Sequence, residues 1–127
     1  MVMIRFSPEW EEKLRSGEKT QTIRRMPSYQ HLRVGDRIDC WITERREDMR
    51  WSIPVRRVAT GIVVEIIEDV PFSELLCDEI AQQDGFQDPA EMCNWFYEQY
   101  GKQAVSSQKF RIIRWKPVET RREEVIE

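Results

Sequence analysis

Apolar and polar residues alternate in three segments of the chain, and this pattern predicts strands with one buried face. The segments are residues 2–6, 38–43 and 109–115. A fourth strand is predicted over residues 58–67, which are rich in β-branched side chains. Residues 51–55 predict a further short strand.

Two residues refine the prediction of the middle strands. Gly61 lies inside the 58–67 run, where a glycine marks a bulge or a bend. Pro54 has no backbone N–H to donate, so we expect the strand at 51–55 to lie at an edge of the sheet. The charged residues 44–48 then form a hairpin-like connection.

The first helix is predicted over residues 8–16. Ser7 is a suitable N-cap, and Pro8 suits the first helical position. Gly17 provides the C-terminal stop. Residues 25–35, which contain a proline and a glycine, are predicted to form a loop.

A second helical region begins after Pro71, where residues 72–83 predict one or two short helices. A longer helix begins at Asp88, with Glu91 completing a capping box, and ends at Gly101. Its large side chains recur at helical spacing: Met92, Trp95, Phe96 and Tyr100. Such a stripe is typical of a face packed on the core, and a base-stacking platform is the alternative.

The order of elements is strand, helix, several strands, helices and strand, without the regular alternation typical of parallel sheets. We therefore predict an α+β fold with a small, mainly antiparallel sheet or barrel flanked by helices. The length of 127 residues suits one compact domain. We place this domain at residues 1–117 and expect the charged residues 118–127 to form a frayed tail.

The composition argues against a membrane-spanning, secreted or metal-binding protein. The chain is 40% hydrophobic and 34% charged, and it has neither an apolar run of membrane-spanning length nor the pattern of a signal peptide. Cys40, Cys77 and Cys93 are widely spaced, and His31 is the only histidine. We therefore expect a cytoplasmic protein with free thiols, no zinc or other metal site, no cofactor and no membrane partner.

Charge is distributed unevenly along the chain. Residues 1–60 carry 13 Lys and Arg against 9 Asp and Glu, whereas residues 61–105 carry 1 against 10. Arginine recurs in adjacent pairs at 24–25, 45–46, 56–57 and 121–122. Two interpretations remain open: the guanidinium groups bind phosphates and stack on bases, or they pair with the acidic segment across the fold.

Residues 16–24 carry the strongest candidate chemistry. A hydroxyl such as that of Thr22 needs a neighbouring base to become a nucleophile. Lys19 can be that base if burial, or a nearby cation such as Arg24, lowers its pKa. Residues three apart lie on opposite faces of a strand, so shared chemistry requires a turn here. The alternative is a surface loop in which Lys19 is solvated.

Several motifs resemble the ASCH domain family, a branch of the PUA-like β-barrels linked to RNA. Gly17, Lys19 and Arg24 form its Gly-x-Lys-x-x-x-x-Arg signature. Further similar segments follow in the expected order at residues 34–36, 80–86, 96–97 and 110–112. The resemblance implies a PUA-like β-barrel flanked by helices, with a cleft where the signature faces the acidic end of a helix.

One group of small ASCH proteins resembles this chain in carrying Gly-x-Lys-Thr-x-Thr-Ile-Arg, and it includes amidohydrolases that deacetylate N4-acetylcytidine. Their catalytic lysine and threonine match Lys19 and Thr22. Their glutamate position falls on Asp84, whose side chain is one methylene shorter. The resemblance implies that Thr22 attacks the acyl carbon and Lys19 takes its proton. Asp84 then positions the lysine or protonates the leaving amine, unless it is only a turn residue that ends a helix.

The predicted ligand-binding residues are Gly17, Thr20, Arg24 and Trp41. Arg24, or backbone N–H groups near Gly17, would stabilise an oxyanion. Trp41 would stack on a base. The alternatives are a structural ion pair for Arg24 and packing on the barrel surface for Trp41.

Three functions remain open at this stage. The first is hydrolysis of an acylated nucleoside, the second is binding of a modified base or RNA without chemistry, and the third is RNA cleavage. The expected partner is a nucleoside or single-stranded RNA. Because residues 1–60 are net positive while the whole chain has a net charge of −3, we expect any RNA binding to be weak and steeply salt-dependent.

Overall fold

The structure, a computed structural model, describes residues 1–45 and 47–118. Within these ranges the chain forms five strands: β1 (Val2–Phe6), β2 (Gln21–Arg25), β3 (Arg37–Glu44), β4 (Ile53–Pro71) and β5 (Lys109–Val118). It also forms five α-helices: α1 (Glu11–Ser16), α2 (Phe72–Leu75), α3 (Asp78–Gln83), α4 (Pro89–Tyr100) and α5 (Lys102–Ser107). A 3-10 helix at Pro8–Trp10 leads into α1. The predicted tail lies outside the described residues, except for Val118, which belongs to β5 instead.

The strands form one sheet in the order β1-β3-β4-β5-β2. Only β1 and β3 are parallel, and the other neighbours are antiparallel. The sheet curls into a half-barrel flanked by helices, which confirms the predicted α+β, PUA-like architecture. Because β1 and β2 are the edge strands, the half-barrel has an open seam between them.

The long strand β4 corrects the prediction of two separate strands at 51–55 and 58–67. It pairs with β3 from Ile53 to Ile62 and with β5 from Thr60 to Pro71. Pro54 therefore lies where β5 does not reach, so its missing N–H removes no hydrogen bond on that side. The edge assignment holds only for this end of β4, since the strand as a whole is central.

Gly61 pairs regularly with Ile38 and Pro117, so it does not mark a bulge, one of the two roles predicted for it. The register of β4 against β5 shifts between Val63 and Glu65 and again beyond Ile67. A Cβ at position 61 would lie 2.5 Å from the Cδ1 atom of Trp115. The glycine is therefore required by the approach of the Trp115 ring to the backbone of β4.

The predicted helix boundaries are largely correct. Gly17 ends α1 in the left-handed conformation, with φ at 81°. The backbone N–H of Glu91 donates to Oδ1 of Asp88 at 2.8 Å, which confirms Asp88 as the N-cap of α4. Ser7 does not cap the first helix, because its hydroxyl donates to the Glu9 carboxylate at 2.9 Å instead. The region 72–83 contains two short helices, α2 and α3.

The strand β2 was absent from the sequence prediction, which expected a turn. Gln21, Thr22 and Ile23 are consecutively buried, so this strand shows no alternation of apolar and polar residues. It pairs with β5 along its whole length, from Gln21 beside Arg114 to Arg25 beside Phe110. The signature of residues 17–24 therefore leads from a helix end directly into a barrel strand.

The aromatic stripe of α4 packs on the core, as its spacing predicted. Met92 and Phe96 are buried, and Trp95 packs against both Trp10 and Phe86, which also contact each other. This packing attaches α4 over the seam of the half-barrel. Of the helices described, none is long and apolar enough to cross a bilayer.

Candidate active site

A cleft of about 180 Å³ opens along the seam between β1 and β2. The edge strands form two of its walls, α4 forms a third, and the residues around α1 and α3 form its floor. Its lining includes Arg5, Phe6, Trp10, Lys19, Thr22, Arg24, Asp84, Trp95 and Tyr100. A cleft that joins aromatic walls to several charged side chains is the usual form of a small-molecule site.

Lys19 lies in the floor of this cleft, just before β2. The residue is only 3% exposed. Its Nζ donates to the backbone carbonyl of Asp84 at 2.6 Å and lies 3.1 Å from Oδ2 of the same residue. The Trp10 ring covers the amine, with its centroid 4.5 Å away. The predicted meeting of Lys19 and Asp84 therefore occurs, and the alternative of a solvated surface lysine is wrong.

The surroundings of Lys19 lower its pKa below the ordinary value of 10.5. Burial is the largest cause, because it removes water from the charged amine. The Asp84 carboxylate raises the pKa by its charge and its hydrogen bond, and Arg24 lowers it. The lowered pKa increases the fraction of neutral amine, the form that can accept a proton.

Asp84 follows α3 and is held on both carboxylate oxygens. Its Oδ2 faces Lys19, and its Oδ1 accepts a hydrogen bond from Nε2 of Gln21 at 3.1 Å. Gln21 was not predicted as a site residue, because a single glutamine in a polar run carries no sequence signal. Only the fold shows that Gln21 is fully buried.

A second lysine fixes the turn after Asp84. The Nζ of Lys13 donates to the carbonyl of Gly85. Gly85 has a φ of 99°, and a Cβ there would lie 3.1 Å from the Trp10 ring. The turn that carries the Asp84 carboxylate is therefore held by Lys13 and Lys19 together.

Thr22 and Arg24 form the opposite part of the cleft. The Oγ1 of Thr22 accepts a hydrogen bond from Nε of Arg24 at 2.8 Å. Nη2 of the same guanidinium donates to the carbonyl of Arg5 at 2.6 Å, across the seam, and the group lies 4.9 Å from the Phe6 ring centre. No direct hydrogen bond between Lys19 and Thr22 occurs among the described contacts, although both residues line the cleft.

Three predicted ligand residues lie outside the lining of the cleft. Gly17 ends α1 on another surface. Thr20 acts through its backbone, since its N–H donates to the carbonyl of Gln83 and its carbonyl accepts from Trp115. Trp41 lies on β3 and does not line the cleft, so we withdraw its assignment as a base-stacking residue there.

The arginines divide into two groups. Arg56 lies 2.5 Å from Glu11, Arg114 lies 2.6 Å from Glu65, and Arg111 pairs with Glu68. Two of these acids belong to the acidic segment 61–105, as the pairing interpretation predicted. Other arginines lie at or near the cleft without a carboxylate partner among the described contacts: Arg5, Arg24 and Arg25.

Other titratable groups near the cleft are less suited to chemistry. Cys40 is buried beneath it, and burial raises the pKa of its thiol to about 12, so it remains protonated at neutral pH. Cys77 and Cys93 are also free thiols. In residues 1–45 and 47–118, no three His, Cys, Asp or Glu side chains converge as metal ligands would.

Two solved structures are similar to this fold. The hypothetical protein PH0355 aligns with a TM-score of 0.63 and 17% sequence identity, covering 92% of this chain and 98% of that protein. The S128A mutant of ZmASCH from Zymomonas mobilis aligns with a TM-score of 0.54 and 17% identity, covering 92% and 72%. No family model and no curated protein matches the sequence. The chain therefore has an ASCH-like fold.

Proposed function

We propose that this protein hydrolyses the acyl amide of a small acylated nucleoside, with N4-acetylcytidine as the model substrate. The observation that carries the proposal is the buried amine of Lys19, held 3.1 Å from the Asp84 carboxylate in the floor of the cleft. A buried amine with a lowered pKa is a suitable general base.

The catalytic cycle begins with the hydroxyl of Thr22. Its oxygen attacks the acyl carbon, and its proton passes to the neutral amine of Lys19, directly or through one water. The Nε–H of Arg24 donates to Thr22 Oγ1 and stabilises the negative charge on this oxygen as its proton leaves. The charge that then develops on the acyl oxygen would be stabilised by another N–H of the Arg24 guanidinium. Cleavage of the C–N bond then returns the proton from Lys19 to the leaving amine and leaves an acyl ester on Thr22.

Water completes the cycle by hydrolysing the ester. Lys19 takes a proton from the attacking water, and the same proton returns to the oxygen of Thr22 as the carboxylic acid leaves. Asp84 keeps Lys19 in position throughout. The shorter side chain of aspartate suits this role, because both its carboxylate and its backbone carbonyl reach the amine.

The size of the cleft limits the substrate. Ligand pockets usually hold about 300–1,000 Å³, and this cleft holds about 180 Å³. An acylated base fits this space better than a whole nucleotide does. The sugar would then lie at the mouth of the cleft, beside Arg5 and Arg24.

A second candidate is binding of a modified base or single-stranded RNA without hydrolysis. Arg5 and Arg24 line the cleft without a carboxylate partner among the described contacts, and Arg25 stacks on Tyr100 at 4.6 Å. Guanidinium groups in this arrangement suit phosphates and bases. RNA cleavage would use the same lysine and arginine, and no separate observation favours it.

The test is release of cytidine from N4-acetylcytidine by the wild type, Thr22→Val and the matched control Thr20→Val. Valine keeps the shape of threonine and removes the nucleophile. We expect kcat to fall by about 10³-fold or more for Thr22→Val, with KM nearly unchanged. Thr20→Val should retain activity, because Thr20 contributes its backbone.

Other outcomes separate the mechanisms. Turnover that survives Thr22→Val would leave water activated by Lys19 as the nucleophile. A wild type that binds the nucleoside without hydrolysing a panel of acylated cytidines would favour the binding candidate. Asp84→Asn should reduce kcat less than Thr22→Val if the carboxylate only orients Lys19.

A further inference from the structure

Gln21 is a fully buried amide that connects the floor of the cleft to the neighbouring strand β5. Its Nε2 donates to the carbonyl of Ile80 at 3.0 Å and to Oδ1 of Asp84 at 3.1 Å. Its Oε1 accepts a hydrogen bond from Nε of Arg114 at 2.9 Å. Both ends of the amide are therefore occupied.

The neighbours of Gln21 fix which end of the amide faces Asp84. The guanidinium of Arg114 can only donate, so the oxygen of Gln21 must face it. The NH₂ group then faces the carboxylate of Asp84. Glu65 holds Arg114 in turn, with its Oε1 2.6 Å from Nη1.

The negative charge of the Asp84 carboxylate requires a hydrogen-bond donor when Lys19 is neutral. When Lys19 releases its proton, the carboxylate becomes a lone buried anion, which is costly unless a donor stabilises it. We propose that Gln21 is a positioning residue that holds the Asp84 carboxylate in place and stabilises its charge, so that Lys19 can work as a neutral base. This inference rests on the proposed hydrolase function.

The groups around Lys19 show that Gln21 acts on it through the Asp84 carboxylate. Charged or titratable groups act on the lysine from three elements or their ends: Asp84 after α3, Arg24 on β2 and Cys40 on β3. Lys13 on α1 lies on the same Trp10 ring and binds the carbonyl of Gly85. Among the described contacts, the Asp84 carboxylate touches only Lys19 and Gln21. Loss of the Gln21 amide should therefore raise the pKa of Lys19, because the neutral amine would leave an unsupported anion.

The test compares wild type with Gln21→Met, Arg114→Met, Asp84→Asn and the double variant Gln21→Met/Asp84→Asn. Gln83→Met is the matched control, because its side chain does not line the cleft. We expect Gln21→Met to lower kcat on N4-acetylcytidine by about tenfold, as loss of a hydrogen bond to a charged group does, with KM within about twofold. The double variant should be no slower than Asp84→Asn, since Gln21 acts through that carboxylate.

A second measurement does not depend on turnover. Titration of isotope-labelled lysine by NMR should place the pKa of Lys19 about one unit higher in Gln21→Met than in wild type. Arg114→Met should also raise the pKa of Lys19, by a smaller amount. If Gln21→Met does not fold, the Lys19 pKa in Arg114→Met tests the inference. Gln83→Met should leave it unchanged.

The two measurements separate failure of this inference from failure of the proposed function. A wild type without turnover, but with a Lys19 pKa that rises in the Gln21 or Arg114 variant, would contradict the hydrolase and keep the role of Gln21 toward Asp84. An unchanged Lys19 pKa in both variants, or kcat losses that multiply in the double variant, would overturn the inference.

Discussion

The amine of Lys19 is buried against the ring of Trp10 and two oxygens of Asp84, and these contacts replace its hydration. Burial disfavours its charge more than Asp84 favours it, so its pKa falls below the ordinary value. A lower pKa increases the fraction of neutral amine at the pH where a general base must work. The burial of Lys19 therefore makes its amine suitable as a general base.

The lowered pKa of Lys19 also predicts how stability depends on pH. Between the pKa of Lys19 in the folded protein and the ordinary value of 10.5, the unfolded chain binds more protons than the folded one. The free energy of unfolding should therefore rise with pH through this window. Urea unfolding at a series of pH values should show this slope in wild type and in Lys13→Met. Lys19→Met should lack it, and an equal slope in Lys19→Met would contradict the lowered pKa.

At the scale of single residues, the sequence predicted some of the site and missed the rest. Lys19, Thr22 and Asp84 were found from the motif and its resemblance, and the structure brings all three to one cleft. Gln21 was missed because its role depends on a carboxylate 63 positions away. Trp41 was misplaced because residue type alone does not reveal which side of a barrel strand faces the cleft.

At the scale of elements, the cleft exists because β1 and β2 are edges that do not pair with each other. Thr20 anchors the start of β2 to α3 and to β5 through backbone hydrogen bonds. The side chains of Thr22 and Arg24 are thereby held at the seam. A closed barrel would have no open seam at which to place them.

The packing of β4 against β5 yields a prediction for Gly61→Ala. The new methyl group would lie 2.5 Å from the Trp115 ring, so the ring or the strand must shift. We expect a loss of about 1–3 kcal/mol in the free energy of unfolding, which is typical of overpacking. Urea unfolding of Gly61→Ala, Trp115→Leu and the double variant should show coupling, because leucine removes the clashing ring. Additive losses would contradict this explanation of the glycine.

The elements differed in how far the sequence could predict them. The strands β1, β3 and β5 were predicted because apolar and polar residues alternate in their sequences. Burial alternates along β1, whereas β3 and β5 also bury polar residues such as Asp39 and Arg111. The strand β2 buries Gln21 and Thr22 in place of apolar residues, so its sequence has no apolar and polar alternation from which to predict a strand. The strand β4 was divided in two because a proline usually interrupts a central strand. Pro54 is tolerated because it pairs with β3 on one side and β5 does not reach it on the other.

Across the whole molecule, ion pairs occupy five of the arginines that the structure describes: Arg15, Arg56, Arg57, Arg111 and Arg114. Arg56, Arg111 and Arg114 contact carboxylates, which leaves fewer cations for a polyanion. The sequence could predict that opposite charges exist in separate segments. It could not predict which pairs meet, because that depends on strand order.

This distribution predicts weak, salt-dependent binding of single-stranded RNA. If Arg5, Arg24 and Arg25 each contact one phosphate, the logarithm of the binding constant should fall with the logarithm of salt concentration with a slope of about −2. Titration of a short single strand at several salt concentrations checks this value. Tight binding that ignores salt would contradict the electrostatic argument.

The most direct test of the account is hydrolysis of N4-acetylcytidine by wild type, Lys19→Met and Lys13→Met, with cytidine release followed by chromatography. Both variants remove a lysine beside Trp10, but only Lys19 lines the cleft. We expect turnover by wild type, no detectable turnover by folded Lys19→Met, and reduced but measurable turnover by Lys13→Met, because Lys13 holds the turn at Gly85 without lining the cleft. Turnover by Lys19→Met at the rate of wild type would contradict the claim that the buried amine is the catalytic base.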